Sequence, residues 1–254
     1  MDVTQNRSCR SPDQETIPFL TRQCGSWSFS VSRDVRSRKD LSRQYDGVAT
    51  RWQEIAKRFK LEAAYCNSMI ESGFPTSFTD QGEAAVVLDC GVGSGSLSIA
   101  LQSLVPNRVA YHGIDISSGM LEAAKNAMGQ VGIIPTLKQA SILSIPYADR
   151  TFDLVMSAHV LEHLPDPRKA LIEMIRVLKP GGRLFICMTR RSLFGALIQF
   201  RWRTWAVTAN QGVAWLRDSE LDAVNFQILD FPFFARRASI AFWARKPLCA
   251  AQTK

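Results

Sequence analysis

At 254 residues, with 46% apolar and 21% charged residues, the chain can bury the core of one substantial α/β domain with short additions. No run reaches the roughly eighteen apolar residues of a membrane helix, and the polar start MDVTQNRSCRSPDQET lacks the apolar core of a secretory signal, so cytoplasm is the expected location. The formal net charge of +8 raises nucleic-acid binding, but zinc-finger spacing and base-reading modules are absent, which makes nucleic acid a disfavoured partner. The six cysteines show no Cys-x-x-Cys spacing and read as free thiols, with Cys90 and Cys187 as small core residues. Of the three histidines, His159 and His163 could share one helix face, but two ligands do not make a closed site, so no metal is expected.

Residues 1–40 read as a variable arm. In 41–80 a helical cap is expected, because Tyr45, Val48, Trp52, Ile55 and Phe59 recur at steps of three and four. One helix would carry that stripe onto a sheet or over a pocket mouth, and Leu61, Tyr65 and Met69 extend it. Gly73, Pro75 and the polar SFTDQGE then end it. The main domain is placed at 81–254. It alternates strands (VVLDC, VAYHGID, a strand within GIIPTLKQA, TFDLVMSA, GRLFICMT) with helices of ten to fourteen residues, the pattern of a doubly wound, Rossmann-like parallel sheet. Pro180-Gly181-Gly182 reads as the turn before the fifth strand. The segment 190–217 breaks the rhythm, with five arginines, several aromatics and no acidic residue. DSELDAVNF is then expected as a helix, and FQILDFPFF with ASIAFWARK as a terminal antiparallel pair.

The residues Asp89-Cys90-Gly91-Val92-Gly93-Ser94-Gly95 follow a strand and open a helix. Glycine permits the tight turn and a close backbone approach to a ligand, and the helix start offers unpaired N–H groups. Such a crevice lies beyond the carboxyl ends of the strands, where open parallel sheets bind ligands. The dinucleotide fingerprint Gly-x-Gly-x-x-Gly is not met, since its third position is Ser96, which disfavours an oxidoreductase. Asp89 would repel phosphates yet tolerate a cationic, phosphate-free ligand. Asp115, at the end of the second strand, can accept from both hydroxyls of an adenosine ribose.

In order, VVLDCGVGSGSLSIA, GIDISSGMLEAA, IPYADRTFDLV, HVLEHLPDP and VLKPGGRL resemble the class I methyltransferases that use S-adenosylmethionine (SAM), above all the small-molecule branch containing quinone-biosynthesis enzymes. The resemblance covers about 100 residues of the 86–189 stretch. It implies SAM as cofactor, S-adenosylhomocysteine as product, and a seven-stranded sheet with the last strand antiparallel. It places Asp89 near the methionine part of the cofactor, with Gly91 and Gly93 lining it. Asp115 would hold the ribose, and Ile116 and Ile142 would sandwich the adenine. Ser141 stands where members often carry aspartate to accept from the adenine amino group, which weakens affinity without changing the cofactor. His159 follows the fourth strand, where members line the pocket between cofactor and substrate.

Methyl transfer needs an aligned nucleophile, exclusion of water and, for many acceptors, one proton removed. His159 is the candidate base because histidine titrates near neutrality. His163 and Glu162 are read as structural, His163 as a turn cap. The 190–217 segment is the candidate lid over the acceptor. Its aromatics suit a ring, its arginines a carboxylate or phosphate, and its composition also suits a peripheral membrane contact. The expected acceptor is a small molecule of aromatic, polyketide, quinone or lipid-like type. RNA or protein methylation and a catalytically silent SAM-binding scaffold subunit are the alternatives.

Overall fold

The computed structural model describes residues 16–73, 84–106, 108–230 and 237–248. Residues 1–15 of the expected arm, the SFTDQGE segment and residues 231–236 lie outside them.

The N-terminal arm is not featureless. Strands β1 (Thr16–Cys24) and β2 (Trp27–Asp34) pair antiparallel, with Cys24 opposite Trp27 across the two-residue turn Gly25-Ser26. Gly25 takes φ 61, the left-handed value such tight hairpin turns require. The missed signal is period two: Trp27, Phe29 and Val31 alternate with Ser28, Ser30 and Ser32.

The expected cap helix is three helices: α1 (Arg38–Asp46), α2 (Ala49–Arg58) and α3 (Leu61–Glu71). The first break falls at Gly47-Val48, and the second at Lys60, which is left-handed with φ 49. Helical spacing therefore persists across corners that redirect the chain. Helix α1 docks through Asp46, whose Oδ1 accepts from Ser117 Oγ (2.6 Å) and from the Gly119 backbone N–H (3.0 Å).

The remaining chain follows the expected alternation. In order come β3 (Ala85–Cys90), α4 (Ser96–Leu104), β4 (Val109–Asp115), α5 (Ser118–Gln130), β5 (Thr136–Gln139) and β6 (Phe152–Ala158). Then follow α6 (Arg168–Val177), β7 (Leu178–Thr189), α7 (Leu193–Trp202), α8 (Ala209–Asp218), β8 (Asp222–Leu229) and β9 (Ser239–Arg245). The sheet order is β5-β4-β3-β6-β7-β9-β8, and β9, the last strand, is antiparallel to both neighbours. Two expectations fail locally. Pro180-Gly181-Gly182 lies within β7, where the pairing with β6 shifts register between Phe152 and Leu154. The expected DSELDAVNF helix is displaced: α8 ends at Asp218, and Asp222 to Phe226 extend β8.

The central strands are continuous apolar runs because both sheet faces are buried. Along β7, Leu184, Ile186 and Met188 enter one core while Phe185 and Cys187 enter the other. Helix α4 brings Leu97, Ala100 and Leu101 to the second core, and α6 brings Ala170, Leu171, Met174 and Val177 to the first. Burying a side chain of this size stabilises the fold by roughly 1.5–3 kcal/mol before entropy is counted. Within the described residues no helix is long and apolar enough to cross a membrane.

Candidate active site

The carboxyl ends of β3, β4 and β6 open on one side of the sheet, and the glycine loop bridges β3 to α4 there. Gly91 takes φ 74, and a Cβ at this position would overlap Val160 Cγ2. Only glycine lets the strand turn while the β6 end lies this close. Gly93 takes φ 52 and lines the cleft, and a Cβ there would meet only the Gly91 carbonyl oxygen, at 3.9 Å. Its N–H donates to Asp115 Oδ2 (3.0 Å), while Asp115 Oδ1 accepts from the Ser117 N–H (2.9 Å). Burial raises the Asp115 carboxyl above its ordinary range, and those two N–H groups oppose the shift.

Asp89 lies beneath this loop, 1% exposed, with Oδ2 accepting from Ser98 Oγ at 2.8 Å. Burial pushes its carboxyl up to about 7, against the pull of Ser98. Among the described residues, no cationic side chain forms a salt bridge with Asp89. A cation in the cleft would therefore stabilise its ionised form.

A cleft whose empty volume, open solvent included, is about 1060 Å³ collects all eight residues singled out in the sequence: Asp89, Gly91, Gly93, Asp115, Ile116, Ser141, Ile142 and His159. Ile116, Ile142 and Leu143 line its apolar side. Ser141 Oγ accepts from the Leu143 N–H at 3.2 Å and retains a second lone pair. These features fit SAM: an uncompensated buried carboxylate for its positive charges, an acid at a strand end for its ribose, an apolar slot for its adenine, and a bare glycine backbone beside it.

A second cavity of similar size adjoins the first. Tyr45, Trp52, Leu61, His159 and His163 line both. Beyond them the walls are mostly apolar: Ile55 of α2 and Phe59 just past its end, with Phe194, Leu197, Ile198 and Trp202 of α7. His159 stands at the junction. Its φ of 59 is unusual for a residue bearing a side chain, and its N–H donates to the Cys187 carbonyl (2.9 Å). Such a conformation costs about 1 kcal/mol or more and persists only where the surroundings enforce it. His159 Nδ1 lies 3.4 Å from Glu162 Oε2. Glu162 is buried and accepts from the backbone N–H and the Oγ1 of Thr189. Burial alone would raise the Glu162 carboxyl, but His159, His163 and Thr189 together hold it below its ordinary range.

The sequence reading understated three groups. Glu162 holds the candidate base. His163 does not cap a turn through Nε2, which lies 2.6 Å from Tyr45 Oη. Burial pushes the His163 ring down to about 4, so it is neutral at physiological pH. Tyr45 stacks on Trp202 (centroids 6.0 to 6.1 Å from Trp52 and Trp202), and Trp52 meets Trp202 edge-on at 5.4 Å. This ring cluster joins α1, α2 and α7. Each ring was visible as a local apolar or aromatic signal, but their meeting across more than a hundred residues was not.

Residues 88–186 match the family described as a methyltransferase domain. The chain is 35% identical over 115 residues to a ubiquinone/menaquinone biosynthesis C-methyltransferase UbiE of Haemophilus ducreyi, covering 44% of each chain. It thus spans less than half the length of that relative. A Haemonchus contortus phosphoethanolamine N-methyltransferase 2, solved with S-adenosylhomocysteine, superposes with a TM-score of 0.64 at 17% identity, covering 87% of this chain and 63% of that one. The [4+2]-cyclase SpnF superposes at 0.63 with 18% identity, covering 84% and 98%. At such identities the likeness is one of fold, and the fold alone does not choose the reaction. Residues 88–186 thus match a methyltransferase domain, the cleft they help to form fits SAM, and the similarity to the quinone-biosynthesis C-methyltransferase is confined to less than half of either chain.

Proposed function

We propose that the chain methylates an apolar small molecule held in the second cavity, with His159 as the base. The observation that carries this reading is the shared wall. The cofactor cleft and the apolar cavity meet at His159, and the buried Glu162 fixes that ring.

When bound, SAM supplies an electrophilic methyl group on a sulfonium. The chain's own residues do the rest. With Nδ1 turned to Glu162, Nε2 of His159 is the ring nitrogen left to take the acceptor's proton, and the Glu162 carboxylate stabilises the imidazolium that results. Tyr45, Trp52 and Trp202 keep water from the junction, and the apolar walls desolvate the acceptor. An aromatic or quinol-like acceptor with an apolar substituent suits such walls, and the similarity to a quinone-biosynthesis C-methyltransferase favours that class.

The test incubates the purified chain with methyl-labelled SAM and a cell extract, then separates organic-soluble, aqueous, nucleic-acid and protein fractions. Label in the organic fraction that His159→Ala abolishes is the expected result. Label in nucleic acid or protein overturns the small-molecule reading. SAM binding without transfer to synthetic quinols or to any fraction makes the chain a silent scaffold.

A further inference from the structure

We propose that α7 and its surrounding arginines dock on an anionic lipid bilayer, which opens the second cavity against the membrane. The inference rests on reading that cavity as the acceptor site, and it supplies the source of the acceptor.

Helix α7 reads LFGALIQFRW, apolar around most of its circumference. A helix of that composition is ordinarily covered. Here Leu193 is 91% exposed, Phe200 86% and Leu197 59%. One face, through Phe194, Leu197, Ile198, Arg201 and Trp202, lines the cavity. Leu193, Ala196, Leu197 and Phe200, at steps of three and four, present the adjacent face to solvent. Leu197 belongs to both, so the cavity wall runs into the exposed stripe without a polar interruption.

Charge is the second observation, and it is independent of the first. Arg191, Arg201 and Arg203 are exposed around α7, and no acidic residue occurs from 190 to 217. Arg36 lies within electrostatic reach of Arg203 and Arg201, and its Nη1 is buried with no hydrogen-bond partner. Asp40 also acts on Arg36, but it already accepts from Ser37 Oγ (2.7 Å) and lies 3.9 Å from Arg43.

Each rival occupant satisfies only half of this surface. A second copy docking by a twofold contact would set arginines against arginines. RNA would take the arginines but leave Leu193 and Phe200 in water. A bilayer with acidic headgroups accepts both, with acyl chains for the apolar stripe and phosphates for the guanidinium groups.

The experiment sediments the full chain with phosphatidylcholine vesicles, with and without phosphatidylglycerol. The expected result is co-sedimentation with the anionic vesicles that weakens in high salt. The double variant Leu193→Glu/Phe200→Glu should abolish it. Arg191→Gln and Arg203→Gln should each weaken it, roughly fivefold per arginine. SAM binding by calorimetry checks that each variant is folded. A wild-type chain that stays in the supernatant, a Glu variant that still pellets, or a dimer broken by the Glu variant overturns the proposal. Transfer to a detergent-dispersed acceptor is measured alongside. Transfer without vesicle binding removes the docking alone, whereas vesicle binding without transfer removes the acceptor reading.

Discussion

His159 Nδ1 lies 3.4 Å from a Glu162 carboxylate that Thr189 holds by two further donors. With His159 as the base we propose, this carboxylate sets which ring nitrogen faces the acceptor, and Glu162 acts as a positioning residue. Glu162→Gln keeps the shape and removes the anion. We expect kcat to fall roughly a hundredfold, with SAM affinity by calorimetry unchanged. A parallel loss of kcat and SAM affinity would mean a merely structural role. Stability supplies a second readout. The folded carboxyl of Glu162 sits below its unfolded value, so it stabilises above the unfolded value and that stability is lost as pH falls through the folded one. The melting-temperature deficit of Glu162→Gln should therefore shrink in acid.

Asp89 has the opposite sign. Its folded carboxyl is raised to about 7, so its contribution to stability is fully present below the unfolded carboxylate range and is lost as pH rises through about 7. The cofactor's positive charge favours the ionised form. SAM affinity should therefore tighten by about tenfold from pH 6 to pH 8. Asp89→Asn should bind more weakly and without that dependence. A wild-type affinity that is flat with pH would remove the assignment of Asp89 to the cation.

How far the sequence foretold this arrangement depended on the range of the interaction. The parallel sheet, the glycine loop and the strand-end acids are local patterns, and the gathering of Asp89, Gly91, Gly93 and Asp115 at one cleft was legible from them. The helix corner at Lys60 was hidden because the apolar rhythm continues through it. The pairing of Tyr45 with His163 spans 118 positions, and no local rhythm encodes it. The β7 irregularity was masked by Pro180-Gly181-Gly182, whose composition marks a turn as readily as a bulge.

Gly91 answers to two constraints at once. Alanine there would take a left-handed φ of 74 and overlap Val160. The first costs about 1 kcal/mol and the overlap roughly 1–3 kcal/mol. Gly91→Ala should lose stability of that combined order in denaturant melts. Val160→Ala should return part of it, which a double-mutant cycle reads as coupling. No coupling would show that the backbone conformation alone demands glycine.

Tyr45 ties the cap to the domain at the site itself. Burial holds its hydroxyl far above the ordinary phenol range, so it stays protonated and can donate to His163 Nε2. His163 Nδ1 is already buried with no partner. Tyr45→Phe therefore leaves both ring nitrogens unsatisfied, at a cost of roughly 1–3 kcal/mol. Because Tyr45 and Trp52 wall both cavities, the loosened cap should also raise KM for cofactor and acceptor together while kcat changes less. His163→Phe should be milder in the Tyr45→Phe background than alone, since two apolar partners leave nothing buried and unpaired. Additive losses in that cycle would show that the hydroxyl and the ring act separately, and the cap would then be held by the stacking of Tyr45 on Trp202.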